Sequence, residues 1–489
     1  MKTGNKNIDR QLDFLLKLGN LKTDNTAKLR ITGQDPVCDS PWHIGEASAT
    51  TLGAIALAVS EIWHMRNRNS HTQEISIDVA DAMLSTYRCH LMRQNGYSVP
   101  LPDIDYPTVG LYPTGDGRYV FINGGYPSLR RGILRILNCP DDRDAIRNAL
   151  MKWKASDIEK EMQKQGFCCA MCHSPEEWLE SEQGSALFRS VNSNGYISAV
   201  EIEKIADGKP QPFTSLTNGQ MPLHGIKALD ITHVLAGPTC GMMLAEQDAT
   251  VMRINGPQLP VILPFVMDTG HGKLNAQLDL KSAEGRETLW KLIDDGSDVL
   301  SYSFRPGKLD SLGFSPQQIS ERVSKQGRGF VYASINCYGH TGPWKDYPGW
   351  EQLAQTVTGL AHIQGGASVP KLLPTYPNDY VTGYLATYGI LAALIRRAKE
   401  GGSYHVKVSL CATAMWLQSF GRIDSGLLPP PKISDERIEK MIIANKSTGY
   451  GAMTYFGHPI KYSETKAQWK HPSVPIGFNK PEWPEVTEI

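Results

Sequence analysis

Asp379 stands in the run Asn378-Asp379-Tyr380-Val381-Thr382-Gly383, just ahead of the apolar stretch Gly389-Ile390-Leu391-Ala392-Ala393-Leu394-Ile395. A carboxylate held there could attack a thioester carbonyl. An ordinary aspartate is already ionised at neutral pH, so that chemistry needs positioning and partial desolvation rather than a separate base. The same residue could instead be a helix N-cap, because an aspartate before an Ala-rich helix satisfies free backbone amides. Gly365 and Gly366 offer backbone donors of the kind that stabilise a developing oxyanion. Cys169-Ala170-Met171-Cys172-His173 fits a haem-attachment spacing, with Cys168 as a third thiol. No export signal or second cysteine pair accompanies it, so it reads as a chance cluster, and no metal is expected.

The elements that must hold these residues are legible from periodicity. From Leu223 the chain alternates strand, glycine turn and helix. Strands are expected at Ile226 to Val234, Thr250 to Ile254, Asp298 to Tyr302 and Phe330 to Ser334, with a sharp turn at Ala236-Gly237-Pro238 and a helix over Thr239 to Gln247. Such alternation predicts a parallel, helix-covered sheet with its ligands beyond the carboxyl ends of the strands. Before Leu223, Glu46 to Arg66 reads as a helix, Ile75-Ser76-Ile77-Asp78-Val79 as a half-buried strand and Tyr119 to Ile122 as another, with helices over Gly132 to Leu137 and Asp141 to Trp153. Gly45 to Ala82 and Gly383 to Ala414 echo each other, each running from a glycine through an Ala-rich helix into an alternating strand, which suggests an internal duplication. Glu201 to Gln220 is polar and Pro-containing, and Gly426 to Lys432 holds three consecutive prolines and should be an extended connector.

Composition narrows the function classes. The 489 residues carry 50 Lys+Arg against 50 Asp+Glu, so a nucleic-acid footprint is not expected. No run reaches membrane-spanning length and the first 25 residues lack a secretory apolar core, so the reading is a cytoplasmic, soluble protein with no membrane partner. Nine scattered cysteines favour a reducing compartment over a disulfide framework.

An ordered series of short motifs then carries a resemblance. It begins with Gly225-Ile226-Lys227-Ala228-Leu229-Asp230-Ile231-Thr232-His233-Val234-Leu235-Ala236-Gly237-Pro238 and continues with Leu278-Asp279-Leu280-Lys281, Phe304-Arg305-Pro306-Gly307 and Leu312-Gly313. Tyr338-Gly339-His340-Thr341-Gly342-Pro343, Gly365-Gly366 and Asp379 complete it. Together they resemble the class III (CaiB/BaiF) CoA-transferases, the superfamily that also holds formyl-CoA transferase and alpha-methylacyl-CoA racemase. The resemblance implies an α/β fold, with a Rossmann-like parallel sheet in a large domain and a smaller α+β domain. It also implies transfer of CoA from an acyl-CoA, such as acetyl-CoA or succinyl-CoA, to a carboxylic acid. Asp379 would be the covalent nucleophile, the CoA thioester a co-substrate rather than a tightly bound cofactor, and a homodimer the usual assembly. Arg305, whose guanidinium offers a donor fork and a stacking face, would contact phosphate or adenine with Lys281 as companion. Val234, Leu278, Ser303 and Phe304 would line the pocket. On their own, Arg305 reads equally as a surface ion pair and Lys281 as a solvated helix start.

The first half is similar to the later portion of the same family, so the chain looks like rearranged tandem halves with one active site. The division expected is a first-copy remnant of a large domain (1–100), a small domain (101–205), a linker (206–222), the large domain with Asp379 (223–425) and a tail (426–489). No clear counterpart of Asp379 stands out around Asp39 to His43. Ser303, Asn255, Leu235 and Ser311 depart from the family's usual asparagine, acidic residue, glutamine and basic residue. Trp350 stands where the racemases have histidine, which disfavours a racemase, and His340 reads as a turn residue. A catalytically silent CoA-binding subunit is the reading from a different class.

Overall fold

The computed structural model describes residues 3–22, 26–67, 71–101, 106–193, 195–217, 219–366, 369–427, 430 and 432–485. A seven-stranded sheet forms its centre. In spatial order its strands are Val200–Ala206, Ser403–Ser409, Val331–Asn336, Val299–Tyr302, Lys227–Ile231, Thr250–Asn255 and Lys273–Gln277. All neighbours run parallel except the first pair. Counted from Lys227–Ile231, the six parallel strands follow the 3-2-1-4-5-6 order of a doubly wound sheet. The order reverses between Lys227–Ile231 and Val299–Tyr302, and the carboxyl ends of these two strands lead into Thr232–Val234 and Ser303–Phe304. A crevice at this switch point is the usual ligand position in such sheets. The expected strands are all present, shifted by a few residues at their ends, but Ala236-Gly237-Pro238, expected as a turn, is instead the first turn of the helix, which spans Ala236–Ala245, the turn itself falling at Val234-Leu235.

Two long apolar helices pack against each other across the middle of the molecule, Ile44–Arg66 and Pro377–Glu400. Both are buried on nearly every face, which explains why their sequences are Ala-rich instead of amphipathic. Each leads into a strand and then a short helix, Gln73–Asp78 and Val79–Leu84 in one case, Ser403–Ser409 and Leu410–Gln418 in the other. The echo extends to the helix starts. Glu351 accepts from the backbone amides of Asn378 and Asp379, and Asp35 accepts from those of Gly45 and Glu46. By this pattern the first-half counterpart of Asp379 is Glu46, closer to the helix than the Asp39 to His43 segment. Its carboxylate is paired with His43 at 3.1 Å and is 3% exposed, so that copy is closed.

A three-stranded antiparallel sheet, Val109–Pro113, Tyr119–Asn123 and Cys168–Met171, carries the helices Pro127–Leu137, Arg143–Leu150 and Ala155–Lys164 over a core of its own. The strand Val200–Ala206 that follows this unit in the chain joins the edge of the large sheet. Residues 207–217 and 219–222 have no regular structure but are fastened along the surface: Gln211 binds Arg397 and Gly329, and Arg66 donates to the carbonyls of Thr214 and Pro222. Residues 428, 429 and 431 of the proline connector lie outside the described residues. Near the C-terminus the hairpin Ile442–Thr448 and Gly451–Phe456 pairs with Arg93–Gln94. Arg88 binds the Phe456 carbonyl at 3.1 Å and Asp268 at 2.9 Å, with Arg88 and Asp268 almost fully buried. Among the described residues, no helix is long and apolar enough to cross a membrane.

Candidate active site

Asp379 is the third residue of helix Pro377–Glu400, not its cap. Pro377 opens the helix, where its missing N–H costs nothing. The amides of Asn378 and Asp379 are satisfied by Glu351, at 3.2 and 2.5 Å. Glu351 also accepts from Gln355 at 2.7 Å, and Gln355 accepts from the Leu373 amide. The Asp379 side chain is thereby left to do something other than cap. It is buried, and the Ala236 amide donates to it from the start of the facing helix Ala236–Ala245, just after the turn at Val234-Leu235.

That turn is tightly built. Val234 has φ +64°, a region unfavourable for a β-branched side chain, and such backbone persists where surrounding contacts over-determine it. Gly383 lies one helical turn past Asp379 and packs directly on it: a Cβ there would sit 2.5 Å from the Ala236 carbonyl oxygen and 2.8 Å from Thr239 Cβ. The bare glycine lets helix Pro377–Glu400 approach closely enough for Ala236 to reach Asp379.

Burial pushes the Asp379 carboxyl from 3.8 up to about 7, with the Ala236 amide pulling it back down. Glu351 is also held well above the ordinary carboxylate range, by burial first and then by the nearness of Asp379, against the pull of its three N–H donors. Two buried carboxyls in one site resist ionising together. The expectation that this aspartate is ordinary and fully ionised is therefore corrected: near neutral pH it is poised between its two forms.

Three cavities adjoin along one path. A groove of about 400 Å³ is lined by Leu278, Lys281, Ser311, Leu312, Phe304 and Arg305 among others. It shares Leu259, Phe304 and Arg305 with a chamber of about 290 Å³ that reaches His233, Val234, Ser303, Trp350 and Asp379. The chamber in turn shares Val234, Trp350 and Asp379 with a third cavity of about 390 Å³. All seven site residues expected from sequence, Val234, Leu278, Lys281, Ser303, Phe304, Arg305 and Asp379, line this path. Arg305 also donates to the Gly166 carbonyl at 2.9 Å, fastening the small unit to the chamber's mouth. Ser303 accepts from the His233 amide at 3.0 Å, and the His233 ring stacks on Phe304 with centroids 4.2 Å apart. Burial, and secondarily Arg253, lower His233 to about 4, so its ring is neutral.

Other expectations fall elsewhere. Gly365 caps the short helix Leu360–Gln364, and neither it nor Gly366 lines the three cavities. The amide facing Asp379 is that of Ala236. His340 contacts the Val408 carbonyl in its turn, away from the cavities. Cys168 faces the chamber, whereas Cys169 on the same strand faces the core under the small unit's helices. Asp35, His43 and Glu46 bring one potential ligand atom each within 4.8 Å of one another in the closed first-half copy. Sequence reasoning missed His233, Glu351 and the first-half residues Tyr87, His90, Leu101 and Phe121 that wall the third cavity. Glu351 had a signal, lying directly after Trp350 in Gly349-Trp350-Glu351.

Comparison with known proteins gives the same direction. Residues 223–432 match the model of CoA-transferase family III. An acyl-CoA transferase of Gibberella moniliformis is 29% identical over 415 residues, which are 78% of this chain and 71% of the relative. Acetyl-coenzyme A transferase nodX of Hypoxylon pulicicidum is 31% identical over 64% of this chain and 55% of its own length. A formyl-CoA:oxalate CoA-transferase of Escherichia coli is 34% identical over 39% of this chain, so the chain spans about half the length of these last two relatives, 47% in the bacterial case. The matched segment contains the six parallel strands of the doubly wound sheet and Asp379, so residues 223–432 are similar to CoA-transferase family III.

Proposed function

We propose that this protein moves coenzyme A from an acyl-CoA to a carboxylic acid, with Asp379 as the covalent nucleophile. The observation that carries this reading is the position of Asp379, buried in the wall between the chamber and the third cavity, with the Ala236 amide directed at it. The groove and chamber form a path suited to a nucleotide and a pantetheine arm, which leaves the thioester at Asp379 and the acyl group in the third cavity.

The ionised Asp379 oxygen attacks the thioester carbonyl. The C–S bond breaks, and an acyl-aspartyl anhydride and CoA thiolate result. The thiolate then attacks the aspartyl carbonyl, releasing the donor acid as its carboxylate and leaving an aspartyl-CoA thioester. An incoming carboxylate attacks that thioester and expels the thiolate. The thiolate finally takes the new acyl group and frees Asp379. No net proton is consumed, so the enzyme needs a desolvated carboxylate and a donor for the transient oxyanion, a role the Ala236 amide can fill.

The test is peptide mass spectrometry after incubation with acetyl-CoA or succinyl-CoA, with and without hydroxylamine. A CoA or hydroxamate adduct on Asp379, absent from Asp379→Asn protein, is the expected result. Turnover that proceeds undiminished in the Asp379→Asn protein would overturn the reading.

A further inference from the structure

The third cavity bears on the identity of the acid, on the condition that the protein is the transferase just proposed. Its volume is about 390 Å³. At roughly 30 Å³ for each water-sized body, that is room for about a dozen non-hydrogen atoms. An acetyl or formyl group would leave most of it unfilled. The wall is built from Leu101, Leu111, Phe121, Phe265, Leu372 and Leu373 with the rings of Tyr87 and Tyr376.

Many of its polar side chains are engaged with one another or with the backbone. His90 contacts the Tyr376 hydroxyl at 3.1 Å and stacks on Tyr87 with centroids 4.2 Å apart. Asn123 accepts from the Gly125 amide and reaches Gln352. Among the described residues lining the cavity, the ionisable side chains besides tyrosine are Asp379, Glu351 and His90, and none is lysine or arginine. Arg88 is committed to Asp268 and the Phe456 carbonyl, and Arg143, behind Gly110, interacts with Tyr112. Burial holds the His90 ring below its ordinary 6.5, so it supplies no positive charge at neutral pH.

A second carboxylate on the substrate would thus be desolvated beside two acidic residues with no lysine or arginine among the described lining residues to receive it, which is strongly unfavourable. We infer that this cavity takes the body of an apolar monocarboxylic acid of roughly eight to twelve carbons, straight-chain or aryl, and discriminates against dicarboxylic acids. Each further methylene buried against the apolar wall should favour the longer acid by about fourfold until the space is filled.

The experiment measures kcat/KM, together with the rate of Asp379 labelling under hydroxylamine, for acetyl-CoA, succinyl-CoA, octanoyl-CoA and 3-phenylpropanoyl-CoA on the full chain. Free octanoate and succinate are titrated calorimetrically into the same protein as a measure independent of turnover. The expected result is that the octanoyl or phenylpropanoyl thioester exceeds acetyl-CoA at least tenfold, that succinyl-CoA is slowest, and that octanoate binds more tightly than succinate. If acetyl-CoA or succinyl-CoA labels Asp379 fastest, the acid-class inference is overturned while the transferase reading stands. If none of the four thioesters labels Asp379, the transferase reading fails and takes the inference with it.

Discussion

Replacing Asp379 by asparagine removes the proposed nucleophile and a buried titrating group together, and the two consequences have opposite signs. Burial raises the folded-state pKa of Asp379 from 3.8 to about 7. Between about pH 4 and pH 7 the folded protein therefore keeps a proton that the unfolded chain has released, and stability falls as pH rises through that window. Three units at 1.36 kcal/mol each put the full loss at about 4 kcal/mol, reached above pH 7. The asparagine keeps an oxygen for the Ala236 amide but carries no charge to desolvate. Urea-denaturation midpoints of both proteins, measured from about pH 4.5 to 8.5, should diverge steadily and level off above pH 7, with Asp379→Asn the more stable at the alkaline end. Transfer activity of the variant should fall by at least about a thousandfold. In the unsubstituted protein kcat/KM should rise about tenfold from pH 6 to pH 8 as the carboxyl ionises. A stability difference that stays flat with pH, or a flat rate profile over the same range, would refute the claim that burial sets the ionisation of this residue.

Two further substitutions probe the path to Asp379. Gly383→Ala should force the Val234 to Ala236 turn away from the helix, destabilising the protein by about 1–3 kcal/mol. It should lower kcat more than it raises KM, as steady-state kinetics beside a thermal melt will show. Arg305→Met should raise KM for every CoA thioester by about tenfold at unchanged kcat, because the guanidinium would hold the nucleotide equally in the ground and transition states. A selective fall in kcat would place Arg305 at the reacting centre instead.

The large sheet was legible because its strands are short apolar runs separated by glycine turns, so the pattern around Lys227–Ile231 and Ala236–Ala245 leaves few alternatives. The path residues were legible for another reason. Val234, Ser303 and Phe304 lie at the carboxyl ends of the two strands that flank the switch point, where topology alone would look for a ligand. The ionisation of Asp379 was not legible, since it depends on burial and on the Ala236 amide, neither of which can be read from a local run. The counterpart of Asp379 in the first half was missed because it is a glutamate, Glu46, and is recognisable only by the amide pattern that Asp35 repeats from Glu351. The third cavity's wall was equally hidden: Tyr87, His90 and Leu101 are far from Asp379 in sequence and reach it only after the two long helices have packed.

The buried link from Arg88 to Asp268 and Phe456 has a kinetic meaning. It fastens the segment bearing Tyr87 and His90 to the large unit within one chain, so this wall of the cavity arrives at a fixed effective concentration set by covalent connection. Closing that wall during folding is a first-order event. The yield of sites assembled on refolding should depend on time and temperature, and that wall cannot be lost by dilution.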